Sequence, residues 1–331
     1  MTAPNFLTYD PQTLAPEAAA LLPRLSDADA VVRRIALIEL ADLEDPDALQ
    51  LIIAALKHDD SADVRGEAAR VLGAWEEPAI VEALCHALID ADSEVREAAA
   101  SSLSALKDAA SGAVLCAWVD RPEPFVKAAV LRALRELRVA DAFAPALRAL
   151  AHDDARVRIE AVGVLGWLKD ARALAPLADI AARDSSAEIR RAAIGALGFA
   201  HVDDSTTPVA LLQALHDPVW QVREEAATTL GKLRAASARD ALIATLDDAY
   251  WQVRLRAARA LGQLGDRVAA RPLVSLLSHA ISNLRKEAAL ALGELRDPST
   301  ADALREASGD ADPDVRKAAR IALQQIEQAT R

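Results

Sequence analysis

The sequence holds two cysteines, Cys85 and Cys116, one methionine and only 3% aromatic residues. So few thiols exclude a disulfide framework, and two cysteines alone make no zinc site. Their number implies a reducing, cytoplasmic compartment, with both thiols read as buried structural groups on the first helices of successive repeats. Large rings are too scarce to fill a core. The 52% of hydrophobic residues must therefore pack mainly as Ala, Leu and Val, which suits closely approaching helices. No apolar run reaches the roughly 18 residues of a membrane-spanning helix. Asn5, Thr8 and Asp10 fall where a signal peptide would need its apolar stretch. Basic charge is also short. The net charge of −12 lacks the positive stripe expected of a nucleic-acid binder. The deficit is uneven: residues 1–60 carry 11 acidic and 4 basic side chains, whereas residues 250–290 carry 7 basic and 2 acidic ones. Such opposed fields can steer and orient a partner.

What the chain does have is a period. Arginine, with one lysine, returns at Arg33, Arg65, Arg96, Lys127, Arg158, Arg190, Arg223, Arg254, Arg285 and Arg316, at steps of 31 to 33 residues. Seven residues after each stands a leucine, from Leu40 and Leu72 to Leu292 and Leu323. Three residues after each stands an alanine, broken only by Val130. A repeat of this length is one supersecondary unit that buries its apolar face only against its neighbours. Within a unit, Val64, Ala68, Val71 and Leu72 share one helical face. Ile80, Ala83, Leu84, Ala87 and Leu88 do the same for the first helix of the next pair. Each repeat thus reads as two antiparallel helices. Aspartate stands six residues before the arginine in seven repeats, and Arg121, His152 and His279 replace it in the others. An aspartate at the helix start and an arginine one turn inside predict an Asp/Arg ladder from repeat to repeat, which makes these arginines scaffold.

The stretch Asp248–Gly262, DAYWQVRLRAARALG, shows the whole pattern. It resembles the HEAT-like repeats of the phycobilisome-lyase type, and the resemblance runs over about residues 15–325. It implies an all-α solenoid, a right-handed superhelix of about ten helix pairs whose second helices line the concave face. One domain is expected over residues 1–331, with a capping helix in residues 1–24, repeats over 25–323 and a polar cap over 324–331. Members of the lyase type handle an anionic tetrapyrrole, but the repeat is shared by many proteins that are not lyases.

Function must lie where repeats break the shared rule. Four residues before the arginine, seven repeats carry an acidic residue or serine, but repeats seven to nine carry Val219, Tyr250 and Ile281. Trp220 and Trp251 follow in two of them, with Arg223, Arg254, Arg256, Arg259, Arg285 and Lys286 nearby, of which Arg254, Arg256 and Arg259 are the expected binding residues. The helix cap is expected to move back to Asp217 and Asp248. Aromatics beside arginines make a hot spot for partner binding, and helix N-termini favour anions. A secondary strip is expected at Trp167 and Phe199, which stand nine residues after the arginine where most repeats are polar; packing under the 201–208 loop is the alternative. Trp75 and Trp118 align with leucines and read as core.

No phosphate-binding glycine loop or catalytic triad stands out. Iron hydroxylases built on such repeats place His-Glu directly after the arginine. Here Glu67, Glu160, Glu225 and Glu287 hold the second slot, but no histidine holds the first. These glutamates read as a solvated helix face. The reading is a non-enzymatic, monomeric scaffold, adaptor or assembly factor that binds a protein partner, without cofactor, metal, nucleic acid or membrane. The alternative is a lyase or chaperone acting on a tetrapyrrole or another anion.

Overall fold

The computed structural model describes residues 4–201, 204 and 206–330. Among them are twenty α-helices and no strand, so the expected all-α solenoid is the fold. The helices fall into two compact units, residues 1–168 and 169–331.

In the first unit the helices are α1 (Pro16–Leu25), α2 (Ala30–Asp42), α3 (Leu49–His58), α4 (Ala62–Leu72), α5 (Pro78–Ala87), α6 (Ser93–Ser104), α7 (Ser111–Trp118), α8 (Pro124–Leu137), α9 (Phe143–Ala149) and α10 (Ala155–Leu168). In the second they are α11 (Leu174–Arg183), α12 (Ala187–Ala196), α13 (Thr206–Ala214), α14 (Trp220–Lys232), α15 (Arg239–Thr245), α16 (Trp251–Leu264), α17 (Ala270–Leu276), α18 (Ser282–Leu295), α19 (Ala301–Ala307) and α20 (Pro313–Thr330). Odd numbers are first helices and even numbers second helices of successive repeats. Second helices stack in order, α2 through α10 in one unit and α12 through α20 in the other.

The core follows the periodic residues. All nine alanines of the small slot, from Ala36 to Ala319, are fully buried, and so is Val130. The leucines seven residues after the arginines are equally sequestered from Leu40 to Leu292. Close approach of second helices also selects glycine. A Cβ on Gly262 would stand 2.9 Å from the Ala291 Cα on the next second helix, a contact that tight packing does not accommodate. Helix ends have their own regularity. Eleven residues after the arginine, Glu44, Arg138, Lys169, Arg234, Gly265 and Arg296 all adopt left-handed backbone. Only Gly265 does so without a Cβ penalty.

Two expectations need correction. Trp75 is half-buried rather than core. It lines a hollow of about 630 Å³ together with Arg70, Val71 and Asp42, because its slot lies at the end of the second helix, where the stack opens. The glutamates are not simply a solvated face. Glu160 and Glu287 are buried, and each is paired with arginines of the preceding second helix: Glu160 with Arg132 and Arg135, Glu287 with Arg259. Lateral stacking brings the two slots together, and a carboxylate can be buried there only because it is paired.

Trp118 is core as expected. Its Nε1 donates to Glu82 Oε2 at 3.1 Å, and His86 meets the ring edge-on. Cys85 is buried, and burial pushes its thiol up, away from the reactive thiolate. Cys116 is half-buried, so that thiol is less sequestered than expected. Positions 202, 203 and 205 of the loop beside Phe199 lie outside the described residues, as do residues 1–3 and Arg331.

Candidate functional site

The ladder sets the frame of the site. At five junctions the arginine grips the aspartate of the following repeat with both Nε and a terminal nitrogen: Arg33 with Asp59, Arg65 with Asp90, Arg190 with Asp217, Arg223 with Asp248, and Arg285 with Asp310. The Nε to Oδ2 distances are 2.7–2.9 Å. The other terminal nitrogen reaches back to the carbonyl of the slot opening its own repeat, as in Arg223 to Asp217 at 2.8 Å. Forked pairing of this kind fixes geometry as well as charge.

The same aspartate has a second task. Its Oδ1 accepts the N–H two residues on, from Ser61 at Asp59, Asp92 at Asp90, Val219 at Asp217 and Tyr250 at Asp248. This corrects the expectation that the helix cap moves back to Asp217 and Asp248: both accept the N–H of the residue before the helix, and α14 and α16 themselves have no side-chain cap. The aspartate serves every repeat that has one, through the local turn that aspartate side chains favour. At Asp248, burial raises the carboxyl, but the Arg223 guanidinium and the Tyr250 N–H outweigh it and hold the group below the usual carboxylate range.

On this frame stand the aromatics. Val219, Tyr250 and Ile281 are the residues preceding α14, α16 and α18, and none of the three helices has a side-chain cap. Trp220 and Trp251 open α14 and α16. Trp220 stacks on Tyr250 of the next repeat with ring centroids 5.5 Å apart and planes tilted by 14°. The Arg223 guanidinium lies 5.7 Å from the centre of the Tyr250 ring. Tyr250 is 46% exposed, and both tryptophans are half-buried. The contact joins neighbouring and not equivalent slots, the residue three before Arg223 meeting the residue four before Arg254, and it leaves the Tyr250 ring open to solvent.

The arginines divide by what they touch. Arg256 donates to Glu224 at 3.0 Å and Arg259 is clamped on Glu287 by two bonds of 2.7 Å, so both charges are answered within the chain. Arg254 differs. Its Nε is shut off from solvent and has no hydrogen-bond partner, and the same is true of Gln252 Oε1 on the same helical turn. Arg223, noted in the sequence as near the aromatics but not among the expected binding residues, is the cation that lies against the Tyr250 ring. The signal for it was its place in the ladder one turn from Trp220.

Trp167 and Phe199 belong to different units. Trp167 is 47% exposed under the Arg138 guanidinium, 4.2 Å from the ring centre, a cation–π contact. Phe199 ends the short turn Leu197–Phe199 and is half-buried. Among the described residues no group of three His, Cys, Asp or Glu side chains is placed to hold a metal ion. No helix among them is long and apolar enough to cross a membrane.

Comparison with known proteins agrees with this architecture. The model for HEAT repeats matches residues 50–135, 113–198, 176–250, 208–282 and 240–324, and the model for the PBS lyase HEAT-like repeat matches residues 32–58. No curated protein sequence matches the chain. Among solved structures, YibA from E. coli is 19% identical, with 82% of this chain and 98% of that one covered at a TM-score of 0.59. Kap95p, solved with RanGDP, is 14% identical, with 93% of this chain and 49% of that one covered at 0.68. The karyopherin Kap121p, solved bound to the C-terminus of the protein phosphatase Cdc14p, is 16% identical, with 99% and 43% covered at 0.62. The chain thus spans about half the length of these two, and at such identities the likeness concerns the fold. With the family model running over most of its length, this chain belongs to the HEAT-repeat family.

Proposed function

We propose that this protein is a non-enzymatic scaffold or assembly factor that holds a partner protein on the ledge formed by the first turns of α14, α16 and α18. The observation that carries the reading is the Trp220–Tyr250 stack. Two large rings pack on each other, one of them nearly half exposed, beside the Arg223 guanidinium. Rigid aromatic anchors with arginine are what protein interfaces concentrate at their energetic centre. The solenoids of Kap95p and Kap121p were solved with protein partners, which supports the same class of role. Trp220, Tyr250 and Trp251 are the anchors, with Arg254 beside them. Arg256 and Arg259 shape the adjoining surface through their glutamate pairs, and Trp167 and Phe199 are secondary contacts.

The test is capture of a defined partner by the wild-type protein and by Tyr250→Ala and Trp251→Ala. Either variant should weaken binding by about 2 kcal/mol, roughly thirtyfold, with circular dichroism and melting temperature nearly unchanged. Normal binding by both folded variants would move the site elsewhere. A visible absorption band on the purified protein, or stoichiometric titration with haem or bilin, would replace the scaffold by the tetrapyrrole-handling alternative.

A further inference from the structure

Three slots of the ladder lack an aspartate, and the chain deals with them in three ways. Where Arg121 stands in the slot, the preceding Arg96 lies 5.9 Å from the centre of the Phe125 ring. Where His152 stands, the preceding cation is Lys127, whose Nζ donates to the Val119 carbonyl at 2.9 Å. Where His279 stands, the preceding Arg254 feels the Asp248 charge, but its Nε is buried and without a hydrogen-bond partner. The first two gaps are closed from within, and the third is open.

His279 makes the opening specific. Its Nδ1 accepts the Ile281 N–H at 3.0 Å, as an aspartate Oδ1 does elsewhere. A neutral imidazole that accepts at Nδ1 carries its proton on Nε2. The slot therefore keeps the capping acceptor but presents a donor where the aspartate would offer its second oxygen. Arg254 on one side and His279 on the other are both short of an acceptor. At the filled junctions of Arg65, Arg190, Arg223 and Arg285 the aspartate keeps 9–13% of its side-chain surface. At those four junctions the aspartate thus lies just beneath the surface, whereas Asp59 at the Arg33 junction keeps only 1%. Residues 250–290, which contain the junction, carry five more basic than acidic side chains.

We propose that the junction between Arg254 and His279 receives a carboxylate from outside the chain, an aspartate or glutamate side chain of the docked protein, which completes the ladder in trans. This rests on the scaffold reading above and names the chemistry of the partner. The forked recognition seen at the five junctions described above favours a planar two-oxygen acid. Tyr250, whose own N–H is held by Asp248, immediately precedes the helix that carries Arg254 and is 46% exposed.

The full-length protein is titrated with the peptide acetyl-Gly-Asp-Gly-amide and with its Asn counterpart, while the Arg254 Nε–H signal, assigned by its loss in Arg254→Lys, is followed by nuclear magnetic resonance. The Asp peptide should shift that signal saturably, at least tenfold more tightly than the Asn peptide. His279→Asp, which supplies the carboxylate in cis, should raise the melting temperature and abolish the response. An equal response to both peptides, no movement of the Arg254 signal, or an undiminished response in folded His279→Asp would overturn the proposal. Should the partner be captured through Tyr250 while the peptide leaves Arg254 unmoved, this inference falls and the scaffold reading stands. If the peptide engages Arg254 but Tyr250→Ala captures the partner normally, the reverse holds.

Discussion

Arg223 and Arg254 hold the same slot in neighbouring repeats, yet only one of them is satisfied. Arg223 meets Asp248 with two bonds of 2.7 and 2.9 Å, and its remaining arm reaches the Asp217 carbonyl. Arg254 meets a histidine slot and keeps an orphaned Nε. The difference lies not in the arginines but in the residue 25 positions later. It teaches that one side chain is fixed as scaffold where its successor is an aspartate, and is left with an unpartnered atom where the successor is not and no other group closes the gap.

The largest test of that contrast is at the other end of the ladder. Arg33 and Asp59 are both almost wholly buried. Arg33→Ala should cost about 3–5 kcal/mol, because it strands a buried carboxylate. The loss should appear in chemical denaturation as early melting of the first repeats, since solenoid stability is set between neighbours. Arg254→Ala strands no carboxylate and should cost far less. Equal losses in the two variants would erase the distinction between filled and open junctions.

Next comes binding. Trp251→Ala should cost about 2 kcal/mol in partner affinity and little in stability, whereas Arg33→Ala should change stability first and affinity only through it. Acid should also separate the two kinds of junction. The Arg285 guanidinium and the Asp312 N–H hold the Asp310 carboxyl down, from 3.8 to about 2. Asp90, Asp217 and Asp248 are also lowered, burial opposing and their arginines prevailing. Each group binds fewer protons folded than unfolded, so its stabilisation is complete above the unfolded value and is lost as pH falls through the folded one. Melting temperature should therefore drop between about pH 4 and 2. Asp310→Asn should flatten part of that fall, and a pH-independent melting temperature over the range would contradict the ladder's role.

Smaller still is repair of the gap. His279→Asp should stabilise the protein by about 1 kcal/mol, read as a shift of the denaturation midpoint. The smallest effect belongs to an ion pair outside the ladder. Arg148 and Asp120 are 2.9 Å apart but mostly exposed, and Arg148→Ala should change stability by no more than about 0.5 kcal/mol. A larger loss there would mean that exposed pairs, and not the buried ladder, hold the repeats together.

Much of this was legible in the sequence because it is local or strictly periodic. The leucine and alanine slots, the helix pairs and the Asp/Arg ladder follow from spacing. A helix repeats its faces every three or four residues, and a solenoid repeats its neighbours every 31 or so. The aromatic ledge was legible in part for the same reason, since Trp220 and Trp251 share one slot and Tyr250 stands in the slot before it. Spacing does not set the lateral offset between stacked helices. Only the tertiary structure placed Glu287 against Arg259, opened the slot of Trp75 and laid the Trp220 ring on Tyr250. It also distinguished three sequence gaps that look alike, two closed by Phe125 and the Val119 carbonyl and one left open at Arg254. Whether a buried cation is satisfied depends on which atoms surround it in space, and that is settled only when neighbouring repeats are packed together.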